Sequence, residues 1–95
     1  PNYCPHGVYP ARPEPDTGLD AWVAIAVAGD AQWAALCRVI ERPALAADPR
    51  FASHAARKVN EDALDAVLRE WTGSRDKWAM ADLLQEAGIA AAPVE

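Results

Sequence analysis

A cysteine and a histidine stand close together near the start of the chain, in Cys4-Pro5-His6-Gly7. On an extended backbone, side chains at i and i+2 share a face, so the thiol and the imidazole could meet there. A nucleophilic thiol site needs such a pair and a third group that orients the base. Spacing marks no such group, and Pro5 fixes the backbone between the two. Zinc is the other chemistry of this pair, but it takes three or four ligands, with paired cysteines usually two to four residues apart. The remaining cysteine and histidine, Cys37 and His54, would have to converge from elsewhere. No metal and no cofactor is therefore expected, and the plain reading of Cys4–Gly7 is a stiff lead into a strand.

Other chemistry is sparse. His54 reads as an exposed residue at a helix start. The carboxylates Glu61, Asp62, Asp65, Asp82 and Glu86 fall on helix faces opposite the leucines. There they can balance Lys58, Arg69 and Lys77 through neighbouring turns. The five glycines do not cluster, so no phosphate-cradling loop is present.

Composition bounds the rest. The 95 residues are 52% hydrophobic and 24% charged, with four tryptophans, which suits one small folded domain rather than a disordered chain. A net charge of −5 with the basic residues dispersed among carboxylates offers no footprint for nucleic acid. No apolar run approaches the roughly 20 residues of a membrane span. Two cysteines make no disulfide framework, so reduced thiols and a cytoplasmic setting are expected.

The elements that must position these residues follow from periodicity. Gly7-Val8-Tyr9 can pair as a short strand before Pro10 removes a donor. Residues 11–20 read as a wide hairpin connection turning at Asp16-Thr17-Gly18. Trp22–Val27 alternates β-branched Val23, Ile25 and Val27 with Trp22, Ala24 and Ala26, a strand with one branched face and one small face. Asp30 is placed to cap a helix whose stripe is Trp33, Leu36, Cys37 and Ile40. Pro43 opens a short helical turn, and Asp48-Pro49-Arg50-Phe51 forms a turn anchored by Phe51. Ser53 and Asn60 are candidate caps for two further helices, the second carrying Leu64, Val67, Leu68 and Trp71 and ending at Gly73. Ser74 would cap the last helix, with Trp78, Ala81, Leu83 and Leu84 inward and Gly88 as its stop. Ile89–Val94 is an extended edge segment containing Pro93. The expected fold is α+β: a small antiparallel or mixed three-stranded sheet packed on about three to four helices. Extended, proline-bearing ends suit a segment that leads into another domain.

The ordered landmarks resemble one family. They are Asn2, Pro5-His6-Gly7-Val8-Tyr9-Pro10, Trp22–Val27, Trp33-x-x-Leu36-Cys37, Leu45-Ala46-x-Asp48-Pro49-Arg50-Phe51, Arg57-x-x-Asn60, Leu64, Trp71 and Leu84-x-x-Ala87-Gly88-Ile89-Ala90-Ala91-Ala92-Pro93-Val94. Together they resemble the class III coenzyme A transferases, the CaiB/BaiF family, across nearly the whole chain. The proline-rich stretch from Arg12 to Asp20 is longer than the family's usual turn. The resemblance implies that residues 1–95 are the small domain of such an enzyme, with the large catalytic domain outside this chain.

The resemblance also implies a function. The parent enzyme would move CoA between an acyl-CoA and a carboxylic acid through an aspartyl intermediate. This segment would shape the acyl pocket and the homodimer without being catalytic alone. No aspartate here matches the family's nucleophile, so no catalytic residue is assigned. The formyl-CoA transferase branch carries a glycine-rich lid where this chain has Cys4, Pro5, His6 and Gly7, which become the candidate substrate-binding residues. With one glycine left, the segment is more similar to the carnitine, bile-acid or succinyl branches or to acyl-CoA racemases. A racemase segment and a stand-alone interaction module remain the alternatives.

Overall fold

A computed structural model describes residues 3–95; Pro1 and the family landmark Asn2 lie outside the described residues. The chain runs β1 (Tyr3–Ala11), β2 (Ala21–Ala28), α1 (Gly29–Val39), two 3-10 turns (Pro43–Ala47 and Pro49–Phe51), α2 (His54–Val59), α3 (Glu61–Thr72), α4 (Lys77–Glu86) and β3 (Ala90–Val94). The sheet is antiparallel throughout, in the order β1-β2-β3. The α+β expectation holds.

The first strand is longer than expected, reaching well beyond Gly7–Tyr9 on both sides. Its prolines are tolerated because β1 lies at the sheet edge, where one row of N–H groups has no ladder partner to lose. The ladder register shifts between Tyr3 and His6. That shift resets the alternation of side chains. Cys4 and Tyr9 consequently face the core while His6 and Val8 face outward. Cys4 and His6 do not share a face, contrary to the spacing argument.

The hairpin connection forms at residues 12–20 as expected. Gly18 adopts φ +71°, a left-handed conformation that glycine accepts without steric cost. Its N–H donates to the Glu14 carbonyl at 2.8 Å, and the Arg12 N–H donates to the Arg75 carbonyl at 2.8 Å, tying the connection to the helical layer.

Val23, Ile25 and Val27 of β2 are buried, which is the branched face of the alternation. Against it pack Trp33, Leu36, Cys37 and Ile40 from the α1 segment, Leu64, Leu68 and Trp71 from α3, and Met80 and Leu84 from α4. Phe51 joins them edge-on to Trp33, with ring centroids 5.7 Å apart. Trp22, Ala24, Ala26 and Ala28 point to the opposite face of the sheet, which no other element among the described residues covers.

Three expected caps moved. Asp30 lies inside the first turn of α1 without capping it; the Gln32 side chain instead accepts from the Ala28 N–H at 2.8 Å. Asn60 precedes α3 but makes no side-chain cap, because its amide donates to the Arg50 and Ala56 carbonyls. Asp76, not Ser74, caps α4, accepting from the Ala79 N–H at 2.9 Å. Ser53 caps α2 as read.

The inward stripe of α4 is also rotated. Lys77, Met80, Ala81 and Leu84 are buried, whereas Trp78 is 54% and Leu83 46% exposed. The lysine can go inward because its ammonium pairs with Glu14 at 3.0 Å and Glu95 at 3.6 Å and donates to the Val94 carbonyl at 3.4 Å. Its aliphatic stem covers apolar surface in the way long cationic side chains do.

Candidate functional site

Several landmark residues hold the fold together. Asp48 accepts from the Arg50 N–H at 2.9 Å and pairs with its guanidinium at 2.8 Å. This holds the carboxyl below the usual carboxylate range, chiefly through the hydrogen bond from the Arg50 side chain. Arg57 is 1% exposed. It donates to the Phe51 carbonyl at 2.9 Å and to Asp30 at 2.8 Å, and lies 5.5 Å from the Trp33 ring. The Asn60 amide donates to the Arg50 carbonyl at 3.1 Å. Arg57 and Asn60 therefore clamp the Asp48–Phe51 turn onto α1. A buried charge needs that much compensation to be tolerated.

Cys4 carries no sign of nucleophilic activation. It is buried, and its Sγ stands 4.0 Å from the Glu61 carboxylate. Burial first, and Glu61 second, push its thiol pKa up. The positive charges of Lys58 and Arg57 pull the other way without outweighing them, so the thiolate is not favoured. Cys37 is buried too, and burial pushes it to about 11. Among the described residues, no three His, Cys, Asp or Glu side chains gather to hold a metal ion.

Gly7 has a packing role that spacing did not reveal. It is a paired strand residue facing Ile25, not part of an open loop. A Cβ at Gly7 would stand 3.3 Å from the Tyr9 hydroxyl. That hydroxyl is fixed, because it donates to Asp65 at 2.8 Å. Burial and the hydrogen bond to Asp65 raise the Tyr9 phenol far above its ordinary pKa. Asp65, read from sequence as a solvent-facing carboxylate, is thus a buried tyrosine's acceptor.

The concave feature lies on the uncovered face of the sheet. A depression of about 490 Å³ is lined by His6, Gly7 and Val8 of β1, Ala24, Ile25 and Ala26 of β2, Ala90, Ala91 and Ala92 of β3, and Gln85 of α4. That volume suits a small organic ligand. Cross-strand rows build its floor: His6 faces Ala26, which faces Ala90, and Val8 faces Ala24, which faces Ala92. The walls are almost wholly apolar. Among the described residues, His6 is the single ionisable side chain in the lining, and Gln85 is the other polar one, donating to the Ala91 carbonyl at 2.7 Å. The structure therefore divides the four candidate substrate-binding residues. His6 and Gly7 border the depression, while Cys4 and Pro5 are buried on the strand before it. The small face of β2 was legible from its alternating alanines; Gln85 carried no signal in the sequence.

A second, polar depression of about 220 Å³ lies where α1 and α3 end, lined by Arg42, Glu70, Trp71, Ser74 and Arg75 among others. Arg75 stands 5.0 Å over the Trp71 ring. Arginines at two helix C-termini balance the helix dipoles, so this feature needs no ligand to explain it. No helix among the described residues is long and apolar enough to cross a membrane.

Comparison with known proteins places this geometry in a family. The family described as CoA-transferase family III matches residues 1–95. A probable CoA-transferase of Mycobacterium tuberculosis is 37% identical over 89 residues, covering 94% of this chain and 11% of the relative. A succinyl-CoA:mesaconate CoA-transferase of Haloarcula marismortui is 41% identical over 76 residues, covering 80% of this chain and 18% of the relative. The crystal structure of a CaiB/BaiF family protein from Brucella suis superposes with a TM-score of 0.82 at 28% identity, covering all of this chain and 23% of that one. The chain thus spans between about a tenth and a quarter of the length of these relatives. On the full-length family match, the chain belongs to CoA-transferase family III.

Proposed function

We propose that these 95 residues are the small domain of an enzyme that transfers coenzyme A from an acyl-CoA to a carboxylic acid. In this reading the aspartyl nucleophile and most of the CoA-binding surface lie in a large domain outside the chain. The depression beside His6 and Gly7 forms one wall of the acyl pocket, and the enzyme works as a homodimer. The observation that carries the reading is the family match from end to end. The uncovered, alanine-floored sheet face supports it, because an apolar wall of that kind excludes water from a reacting acyl group. The relative from Haloarcula is named for succinyl-CoA and mesaconate, both of which carry a second carboxyl group, so dicarboxylic acids are the first substrates to try.

The test uses the full-length polypeptide that contains this segment. Incubated with succinyl-CoA and a carboxylate acceptor, it is expected to form the new thioester, whereas the 95-residue chain alone gives none. Solvent-deuterium incorporation at the α-carbon of a branched acyl-CoA, without acceptor, would instead indicate a racemase. Turnover by the isolated 95 residues would overturn the reading.

A further inference from the structure

We infer that His6 is a specificity-determining residue that receives the remote carboxylate of a dicarboxylic acyl group. The inference rests on the CoA-transfer reading above and extends it to a class of acid. Three observations carry it. Among the described residues, His6 is the one ionisable side chain lining the depression, and the Gln85 amide is already engaged by the Ala91 carbonyl. The imidazole stands at one end of the row His6–Ala26–Ala90. Three strands set that row at roughly 10 Å across, room for a short hydrocarbon chain over a floor of single methyl groups. The Tyr3 ring lies beside the imidazole, with centroids 5.6 Å apart and planes inclined at 57°, and packs against one side of it.

Selectivity follows from the apolar walls. A carboxylate laid against them without a donor loses its hydration uncompensated, whereas a methyl end loses nothing. The single N–H donor that His6 can offer at this lining therefore decides whether a diacid is accepted, and a site built on one such hydrogen bond discriminates strongly. Any basic group that the large domain contributes would add to this contact, so the measurement compares two acids rather than one rate.

The experiment compares succinate and butyrate as acceptors of CoA from acetyl-CoA in the full-length enzyme, with kcat/KM measured for wild type, His6→Leu and His6→Gln. The expected result is a wild-type preference for succinate that falls about tenfold or more in His6→Leu. The loss should appear mainly in KM for succinate and exceed any change with butyrate, with His6→Gln, which keeps an N–H donor, in between. His6 is exposed, so thermal unfolding of the variants should match wild type. Transfer with an unchanged succinate-to-butyrate ratio in His6→Leu, or a wild-type preference for butyrate, would overturn the inference and leave the CoA-transfer reading standing. Absence of transfer to either acid in the wild type would overturn both.

Discussion

Several of the landmark residues are occupied by structure. Gly7 is the clearest case, because its missing side chain is what lets the Tyr9 hydroxyl reach Asp65. Gly7→Ala should push Tyr9 off that hydrogen bond and destabilise the chain by about 1–2 kcal/mol. In a Tyr9→Phe background the hydroxyl is gone, so the same substitution should cost far less. Urea denaturation of the four proteins measures the coupling, and strictly additive costs would contradict the arrangement. Arg57 is the second case, a buried guanidinium reaching the Phe51 carbonyl and Asp30 at once. Arg57→Ala should cost about 3 kcal/mol, and Arg57→Lys should recover little because one ammonium cannot serve both directions. Cys37 gives a pH-dependent signature. Its folded pKa is about 11 against a reference of 9.0, and a raised pKa means that the neutral thiol is the stabilised form. Its contribution is complete below about pH 9 and is lost as pH rises towards about 11. Cys37→Ala leaves a cavity and is less stable at pH 7, yet its stability should fall less steeply across that alkaline window. An equal slope in both proteins would show that the Cys37 thiol titrates alike in the folded and unfolded chains, and that burial does not raise its pKa.

Helix ends separate what periodicity can specify from what it cannot. Asp76 accepts from the Ala79 N–H, so Asp76→Ala should cost about 1 kcal/mol while Ser74→Ala is nearly silent. Thermal unfolding of the two variants checks this, and a larger effect at Ser74 would restore the earlier start of α4. The capping side chains of Ser74 and Asp76 are equally plausible in the sequence, and only the path of the chain out of α3 decides between them. Trp78 and Lys77 show the same limit from another side. Apolar spacing favoured a buried Trp78, but Lys77 finds carboxylates from both the hairpin connection and the C-terminal residue, partners that no local pattern announces. By contrast, the Trp33–Ile40 stripe, the Val23–Ile25–Val27 face and the three-stranded α+β plan were legible, since each follows from a period of about 3.6 or 2. The extent of β1 was not. Its prolines argued against a long strand, and only its edge position and the register shift make nine strand residues possible. Of the candidate site, the sequence pointed to a segment whose His6 and Gly7 border the depression, but the Cys4–His6 pairing suggested by spacing does not form. The shift near His6 puts Cys4 on the opposite face, and Gln85 joins the depression through a contact with β3 that only the tertiary fold creates.

At the scale of the whole molecule, the edges and the faces of the sheet are handled differently. Both edge strands contain proline, at Pro5 and Pro10 in β1 and at Pro93 in β3, and the Gln85 amide covers the Ala91 carbonyl. Such edges resist pairing with another strand. One sheet face is sealed by α1, α3 and α4, while the other presents Val8 at 56%, Trp22 at 41% and Val94 at 38% exposure around the alanine floor. A contiguous apolar face of this kind is a surface for association. The chain expressed alone should therefore self-associate through this face rather than through its edges. Sedimentation velocity should show a weighted-average coefficient that rises with concentration. Trp22→Gln combined with Val8→Thr should return the chain to a monomer, because these side chains supply the largest exposed apolar area on that face. Neither contributes to the core, so unfolding should shift by no more than about 0.5 kcal/mol per substitution. Pro93→Ala, which frees an N–H on β3, should leave the association of the parent chain unchanged. A parent chain that stays monomeric at every concentration would show that the alanine-floored face is content in water, and the case for it as a buried wall would fall with that result.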